Sequence, residues 1–514
     1  MPTGTEAIDS LRLIEHLARR LARGGHEVTV RETHLSWILL AGRIAIKLKK
    51  PVRLPFVDFS RADTRRAACE AELRLNRRLA PALYRRVVDV CGSYDAPRFG
   101  RCREPIDSVL CMRRFPDGAL MSERLAAGSL QPCHLERLAV RIARLHDAAQ
   151  IVRDVDDPVR YSMAPVEGVI EQLRPFELAR WHAEARRWLD RQRLSLAPVF
   201  RSRFAGGAVR DGHGDLHLAN AVVLGDDATA FDCIEFDASL RRIDVMADVA
   251  FMTMDLEAHG RLDLAHRFLD AYMEARGDFE GLAVLRFHEA ARACVRRLVQ
   301  RSSPGGLAGG DTDYLGVAQR KMQVRTGRPR LAITSGPSGS GKSTIAARLV
   351  DATGAVRVRS DIERKRLGGA SVSSSVGALG ADLYGDAMTE HTYARLARCA
   401  RQSLTAGYDT IIDAAFLRSS RRDAFARLAA ELDVPFTVLA FDAPAAELAR
   451  RVRARLGEGA DPSDADEAVL AWQLRARDPV TADEERHTLQ VDTSSPVDVI
   501  ALASAWQSCT GLDL

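Results

Sequence analysis

A chain of 514 residues, 46% hydrophobic and 28% charged, is long enough for more than one hydrophobic core and has the composition of a soluble globular protein. No apolar run approaches the roughly 18 residues of a membrane span, and Met1 to Arg20 lacks the apolar stretch and cleavage site of an export signal, so a cytoplasmic protein is expected. The net charge of +5 arises before residue 328, because residues 328–514 hold 23 Lys+Arg against 25 Asp+Glu; with no basic stripe interleaved with aromatics, a nucleic-acid partner is not expected. The nine cysteines show no Cys-x-x-Cys pair and no ligand spacing with histidine, which predicts buried reduced thiols and no metal centre of the zinc type.

In chain order, residues 28–30, 36–40 and 43–48 read as short strands with a turn at Gly42, followed by helical periodicity over 61–79. From Ser122 onward the pattern is mostly helical, including 132–148 and 262–275, interrupted by a loop at 211–220 and apolar segments at 221–224 and 230–236. A basic helical stretch, 287–300, runs into the breaker cluster Ser302 to Gly310, and one more helix fits between Asp311 and Arg325. These signals divide the chain into domains 1–325 and 326–514. The second part alternates strands near 331–335, 355–359, 409–413 and 436–441 with helices, the pattern of a parallel sheet covered by helices on both faces.

Two motifs carry chemistry. In His213-Gly214-Asp215-Leu216-His217-Leu218-Ala219-Asn220 a carboxylate precedes an amide by five residues, the interval at which a kinase loop offers a base to the acceptor hydroxyl and a ligand to Mg²⁺. Asp215 is the candidate base and Asn220 the candidate metal ligand. Such chemistry also needs a strand lysine on the nucleotide phosphates, held by a helical carboxylate. Lys47 and Glu72 fill those roles, with Lys49 on the same strand face and Glu70 nearby as alternatives. The second motif, Gly336-Pro337-Ser338-Gly339-Ser340-Gly341-Lys342-Ser343, follows an apolar strand and opens a helix at Thr344, which is the context of a P-loop. Its backbone N–H groups cradle phosphate, Lys342 reaches the β- and γ-phosphates, and the Ser343 hydroxyl coordinates Mg²⁺.

Around that loop, Asp361 ends the second strand on the acceptor side of the crevice, as a base or as a helix N-cap, and Asp413 ends the third strand as a metal ligand. Arg450 to Arg455 read as a solvated basic face or, by their resemblance to the lid of small P-loop kinases, as arginines that close over the phosphates. Arg292 and Arg296, four apart on one helix, bind an anionic substrate or make surface ion pairs.

The octet at 213–220 resembles the catalytic loop of the aminoglycoside phosphotransferase family, whose fold is similar to that of protein kinases. The resemblance implies a further metal-binding acid after a strand, at Glu235, with Asp237 and Asp232 as competitors, and a bracing role for Asp248 behind the loop. The stretch Asp361-Ile362-Glu363-Arg364 resembles small P-loop kinases of the gluconate kinase and polynucleotide 5′-hydroxyl kinase type, within the wider set of AAA-family ATP-binding domains. That implies Asp361 as base and Arg364 as a substrate or transition-state contact. Together the resemblances imply a bifunctional fusion: an α+β, bilobal kinase-like domain followed by an α/β P-loop domain, using ATP and Mg²⁺ to phosphorylate a small-molecule hydroxyl of the sugar or aminocyclitol class. A regulatory ATP-binding role or a polynucleotide 5′-hydroxyl kinase activity for the P-loop domain are the alternatives.

Overall fold

The computed structural model describes residues 4–54, 57–302, 312–325, 327–369, 385–458 and 466–509. Most of the breaker cluster Ser302 to Gly310, the expected boundary residue at position 326 and the stretch from Gly459 to Ser463 lie outside the described residues.

By packing, the chain forms two compact units, Met1–Pro158 with Phe204–Met252, and Val159–Arg203 with Thr253–Leu514. The units therefore change over at the start of the helix Pro158–Leu173 and within the helices Ala179–Ala205 and Val245–Ala258, not at the linker. The reason is local: the helix Leu262–Arg276, which precedes the linker in sequence, packs on the helix that follows the P-loop.

The first unit opens on the helix Gly4–Arg23, followed by a six-stranded antiparallel sheet in the order Val28–Glu32, Ser36–Ala41, Ile44–Lys49, Asp107–Arg113, Tyr84–Gly92, Pro97–Phe99. Alternation along a strand sends successive side chains to opposite faces. In Ile44–Lys49, Ile46 and Leu48 join Leu13, Ile14 and Leu17 of the first helix in one core, while Lys47 and Lys49 face the helix Ala62–Asn76 on the other side. Gly42, at φ 54°, makes the turn expected between the second and third strands. Beyond the sheet come the helices Met121–Ala126 and Pro132–Ala148, the loop at 213–220, and the short hairpin of Ala221–Leu224 with Asp227–Ala230. The hairpin strand ends at Ala230 because Asp232 adopts a left-handed φ of 63°, so the apolar segment expected at 230–236 is not one strand. Cys91 and Cys102 are bonded as a disulfide, their Cα atoms 6.1 Å apart. This corrects the expectation of reduced thiols throughout: the hairpin of Tyr84–Gly92 with Pro97–Phe99 folds the two cysteines together.

The second unit is built on a five-stranded parallel sheet ordered Val356–Arg359, Thr410–Asp413, Leu331–Ser335, Phe436–Asp442, Thr488–Asp492. The helices Lys342–Thr353 and Val499–Ser508 cover one face, with Ile345, Leu349 and Trp506 packed on Ile411, Leu439 and Phe441. Asp386–Thr405 and Ser419–Glu431 pack against the strands as well. The long helices of this unit carry a separate aromatic cluster in which Phe287 stacks on Trp188 and meets Phe200 edge-on. Arg296 lies over the Tyr314 ring at 5.4 Å. No helix among the described residues is long and apolar enough to cross a membrane.

Candidate functional site

In the first unit the octet forms a tight turn pinned from behind by Asp248. That carboxylate, fully buried, accepts the backbone N–H groups of His213 (2.7 Å) and Gly214 (2.8 Å) and lies 3.1 Å from His146 Nε2. Burial alone raises a carboxyl pKa, but the His146 hydrogen bond, the two imidazoles and the His213 N–H outweigh it and hold Asp248 down to about 2. Gly212 and Gly214 permit this closeness: a Cβ on Gly212 would lie 2.5 Å from Asp248 Oδ2, and Gly214 sits at φ 88° with a Cβ position 2.8 Å from the Leu240 carbonyl. Burial also lowers the His213 pKa. Its Nε2–H donates to the Phe231 carbonyl (3.0 Å) and its Nδ1 accepts the Asp215 N–H (3.2 Å), tying the turn to the segment that carries Asp232.

Held this way, Asp215 keeps a side chain that is 36% exposed. Asn220 Nδ2 donates to its Oδ2 (2.9 Å) and to its carbonyl (3.0 Å), which brings the two predicted residues together. Lys47 donates to Glu72 (2.8 Å) and to Asp232 (2.6 Å). Burial works against the Lys47 charge, but the carboxylates of Asp232 and Glu72 more than compensate and raise its pKa. Glu72 is fully buried and serves both lysines, with Lys49 at 2.6 Å from its other oxygen, whereas Glu70 is exposed and pairs with Arg66. The alternative lysine and the preferred one thus share one carboxylate.

The structure places Glu235, the acid expected to bind metal, at Lys49. Its carboxylate is 5% exposed and committed to Lys49. The acid at Lys47 is instead Asp232, 41% exposed at its side chain, whose backbone N–H donates to the buried Tyr84 hydroxyl (3.1 Å). Lys47 holds its pKa below the ordinary value despite burial. Glu235 stands on the far side of the left-handed residue 232, and the change in chain direction there turns it toward Lys49. Asp237 caps a short 3-10 turn through the Ser239 N–H. Beside Lys47 and Asp232 opens an apolar crevice lined by Ile38, Leu40, Met112 and Phe115.

In the second unit the P-loop turns from Leu331–Ser335 into the helix Lys342–Thr353. Gly336 (φ 149°), Gly339 (φ 81°) and Gly341 (φ 79°) adopt positive angles, and Cβ atoms on Gly336 and Gly339 would strike the carbonyls of Phe441 (2.5 Å) and Leu448 (2.8 Å). Lys342 is folded over its own loop, donating to the Pro337 carbonyl at 2.7 Å. Ser340 is buried, and Ser338 gives its backbone N–H to Gln473 Oε1 (2.7 Å). Ser343 Oγ donates to Asp413 Oδ1 (3.2 Å), whereas Asp413 Oδ2 is buried and accepts no hydrogen bond. An orphaned carboxylate oxygen beside a serine hydroxyl suits a hard cation with oxygen ligands. Thr344 lies in the first turn of the P-loop helix and is exposed.

Asp361 stands in the first turn of the helix Ser360–Leu367, one residue inside it, and Arg359 is the N-cap. It therefore does not cap the helix. Arg364 of the same helix donates to Thr389 Oγ1 (3.3 Å). In the basic helix Ala445–Glu458, Arg451 bonds the Gly339 carbonyl (3.2 Å) and Thr493 (2.7 Å), while Arg450 pairs with Glu447 in solvent. Of the expected lid arginines, Arg451 thus braces the P-loop and Arg450 lies on the solvated face. Gln473 on the P-loop amide escaped sequence reading, as did His146 behind Asp248; each acts across a large sequence separation and belongs to no motif.

Residues 331–480 match the AAA domain family. The chain is 32% identical over 472 residues to uncharacterized protein Rv2004c of Mycobacterium tuberculosis (strain ATCC 25618 / H37Rv), covering 86% of this chain and 89% of that protein. Among solved structures, an unliganded sugar kinase from Janibacter sp. HTCC2649 is similar at 23% identity over 35% of this chain and 96% of its own, with a TM-score of 0.28. A choline/ethanolamine kinase family protein from Mesorhizobium loti is similar at 14% identity over 60% of this chain and 92% of its own, with a TM-score of 0.35.

Proposed function

The chain belongs to the family of Mycobacterium tuberculosis Rv2004c and joins an aminoglycoside phosphotransferase-like region to a P-loop kinase region, and from that premise we propose that it is a phosphotransferase with two nucleotide sites. At the first site the acceptor is a hydroxyl of a small molecule, of the sugar or aminocyclitol class, and the donor is ATP. The observation that carries this reading is the Asp215 carboxylate: part-exposed, oriented by Asn220, and mounted on a turn whose His213 and Gly214 N–H groups are held by Asp248 and whose Asp215 N–H is held by His213.

Asp215 takes the proton of the acceptor hydroxyl as that oxygen bonds the γ-phosphorus and the bond to ADP breaks. Lys47, fixed by Glu72, binds the nucleotide phosphates, and the crevice at Ile38, Leu40 and Met112 receives the base. Asp232 and Asn220 are the metal ligands on this reading, with Glu235 a structural partner of Lys49. When bound with the nucleotide, Mg²⁺ neutralises charge on the β- and γ-phosphate oxygens.

The second site phosphorylates another hydroxyl or the product of the first. Its loop amides and Lys342 bind phosphate, Ser343 and Asp413 would hold the cation, Asp361 accepts the hydroxyl proton and Arg364 contacts the substrate or the transferring group. Incubating the chain with a metabolite extract and γ-labelled ATP tests the proposal. Label in an acid-stable organic phosphate, lost with Asp215→Ala or Asp361→Ala, is expected; label released only as inorganic phosphate would remove the acceptor hydroxyl from the account.

A further inference from the structure

The P-loop site contains a charge arrangement that its motif does not require. Arg357 and Arg359 alternate on the strand Val356–Arg359, which runs beside the strand ending at Asp413, with Arg359 directly opposite that residue. Their guanidinium groups lie 3.9 and 3.7 Å from Asp413 Oδ2, near enough for strong attraction in a buried setting, yet that oxygen accepts no hydrogen bond. Both arginines are engaged elsewhere. Asp270 accepts from Arg357 at 2.7 and 3.3 Å, and Glu274 accepts from Arg359 at 2.5 Å and from Arg357 at 3.4 Å.

These carboxylates sit one turn apart on the helix Leu262–Arg276, and that helix is fixed in place. His266 Nδ1 donates to the Asp351 carbonyl (3.1 Å), and Arg267 pairs with the Asp351 carboxylate on the P-loop helix. A Cβ on Gly354 would lie 2.7 Å from His266 Nε2, so the approach tolerates no side chain there. At its other end Arg366 donates to the Glu274 carbonyl (2.8 Å). Without Asp270 and Glu274, two buried guanidinium groups would lose their principal counter-ions with Asp413 within 4 Å, and that carboxylate would be drawn into the pairing.

We propose that Asp270 and Glu274 are positioning residues of the P-loop site, holding Arg357 and Arg359 off Asp413 so that its Oδ2 stays available to the divalent cation of the bound nucleotide. The inference rests on reading the second site as a metal–nucleotide site. It makes a helix from before the linker a working part of the P-loop site, which the P-loop region alone does not supply.

The test uses full-length protein, a fluorescent ATP analogue and a Mg²⁺ titration, with Lys342→Ala measured in parallel so that only the P-loop response is counted. In Asp270→Asn/Glu274→Gln the Mg²⁺ midpoint is expected to rise about tenfold, the effect of losing one charge-assisted contact, while analogue binding in EDTA stays at the wild-type level. Adding Arg357→Gln to that double variant is expected to bring the midpoint back toward wild type. A purely structural role would lower the melting temperature and metal-free binding together and would show no such rescue. If the double variant does not fold, Glu274→Gln alone is read in the same way. An unmoved Mg²⁺ midpoint in folded protein overturns the inference. A wild-type chain without any Lys342-dependent Mg²⁺ response overturns the second-site reading itself, and the inference with it.

Discussion

The two candidate sites handle their charges in opposite ways. In the first, Lys47 is neutralised by carboxylates 25 and 185 residues away in sequence, Glu72 and Asp232, so the groups hold one another in place before any nucleotide arrives. In the second, the phosphate-binding groups come from one continuous turn, Lys342 rests on its own loop, and one oxygen of Asp413 is left without a hydrogen bond. A site gathered from distant segments needs internal ion pairs to be preorganised. A site wound from one loop gets its geometry from glycine backbone angles and can leave a carboxylate oxygen unspent.

The sharpest break in this comparison is at Asp215. Asp215→Asn keeps the Asn220 contact geometry nearly intact and is expected to lower first-site turnover by about 10²- to 10⁴-fold, measured as kcat for the first-site product. Next comes the pair Asp232→Asn and Glu235→Gln. The former is expected to cost about 10²-fold in first-site kcat/KM, and the latter to stay within about threefold while lowering the melting temperature, because Lys49 keeps only Glu72 as a partner. Equal kinetic losses would return Glu235 to the metal site.

A smaller effect concerns Asp248. With its pKa held at about 2, against about 3.9 in an unfolded chain, it contributes about 3 kcal/mol of stability that is fully present above pH ~4 and is lost as pH falls through about 2. Denaturant unfolding of wild type between pH 5 and 2 should show this slope, and Asp248→Asn should flatten it. The smallest contrast is on the basic helix: Arg451→Ala is expected to weaken nucleotide binding at the P-loop several-fold by freeing the Gly339 carbonyl, whereas Arg450→Ala should leave it unchanged.

Legibility in the sequence followed the same division. The P-loop could be read whole because its residues are contiguous and their context, strand before and helix after, is local. The strand alternation that separates Ile46 and Leu48 from Lys47 and Lys49 was equally readable. The parallel α/β class followed from strand–helix alternation and the kinase-like class from the resemblance of the octet at 213–220, while the helix Gly4–Arg23 and the edge strand Thr488–Asp492 were not among the expected elements. Asp232 was harder to place, because its position depends on a left-handed backbone angle at a non-glycine residue, which reverses the chain and leaves Glu235 facing another lysine. Asp270 and Glu274 lie 87 and 85 residues before the arginines they engage, outside any motif. The Cys91–Cys102 bond depends on a hairpin that spacing alone does not announce.

The central claim, two separate phosphoryl-transfer sites in one chain, is tested most directly by comparing labelled products from γ-labelled ATP and metabolite extract for wild type, Asp215→Asn, Lys342→Ala and the double variant. Lys342→Ala should lose the second labelled product and keep the first, Asp215→Asn should lose the first and, where the second is made from it, the second as well, and the double variant should lose both. One single variant that abolishes every labelled product, with the other indistinguishable from wild type, would contradict the claim and leave a single catalytic site.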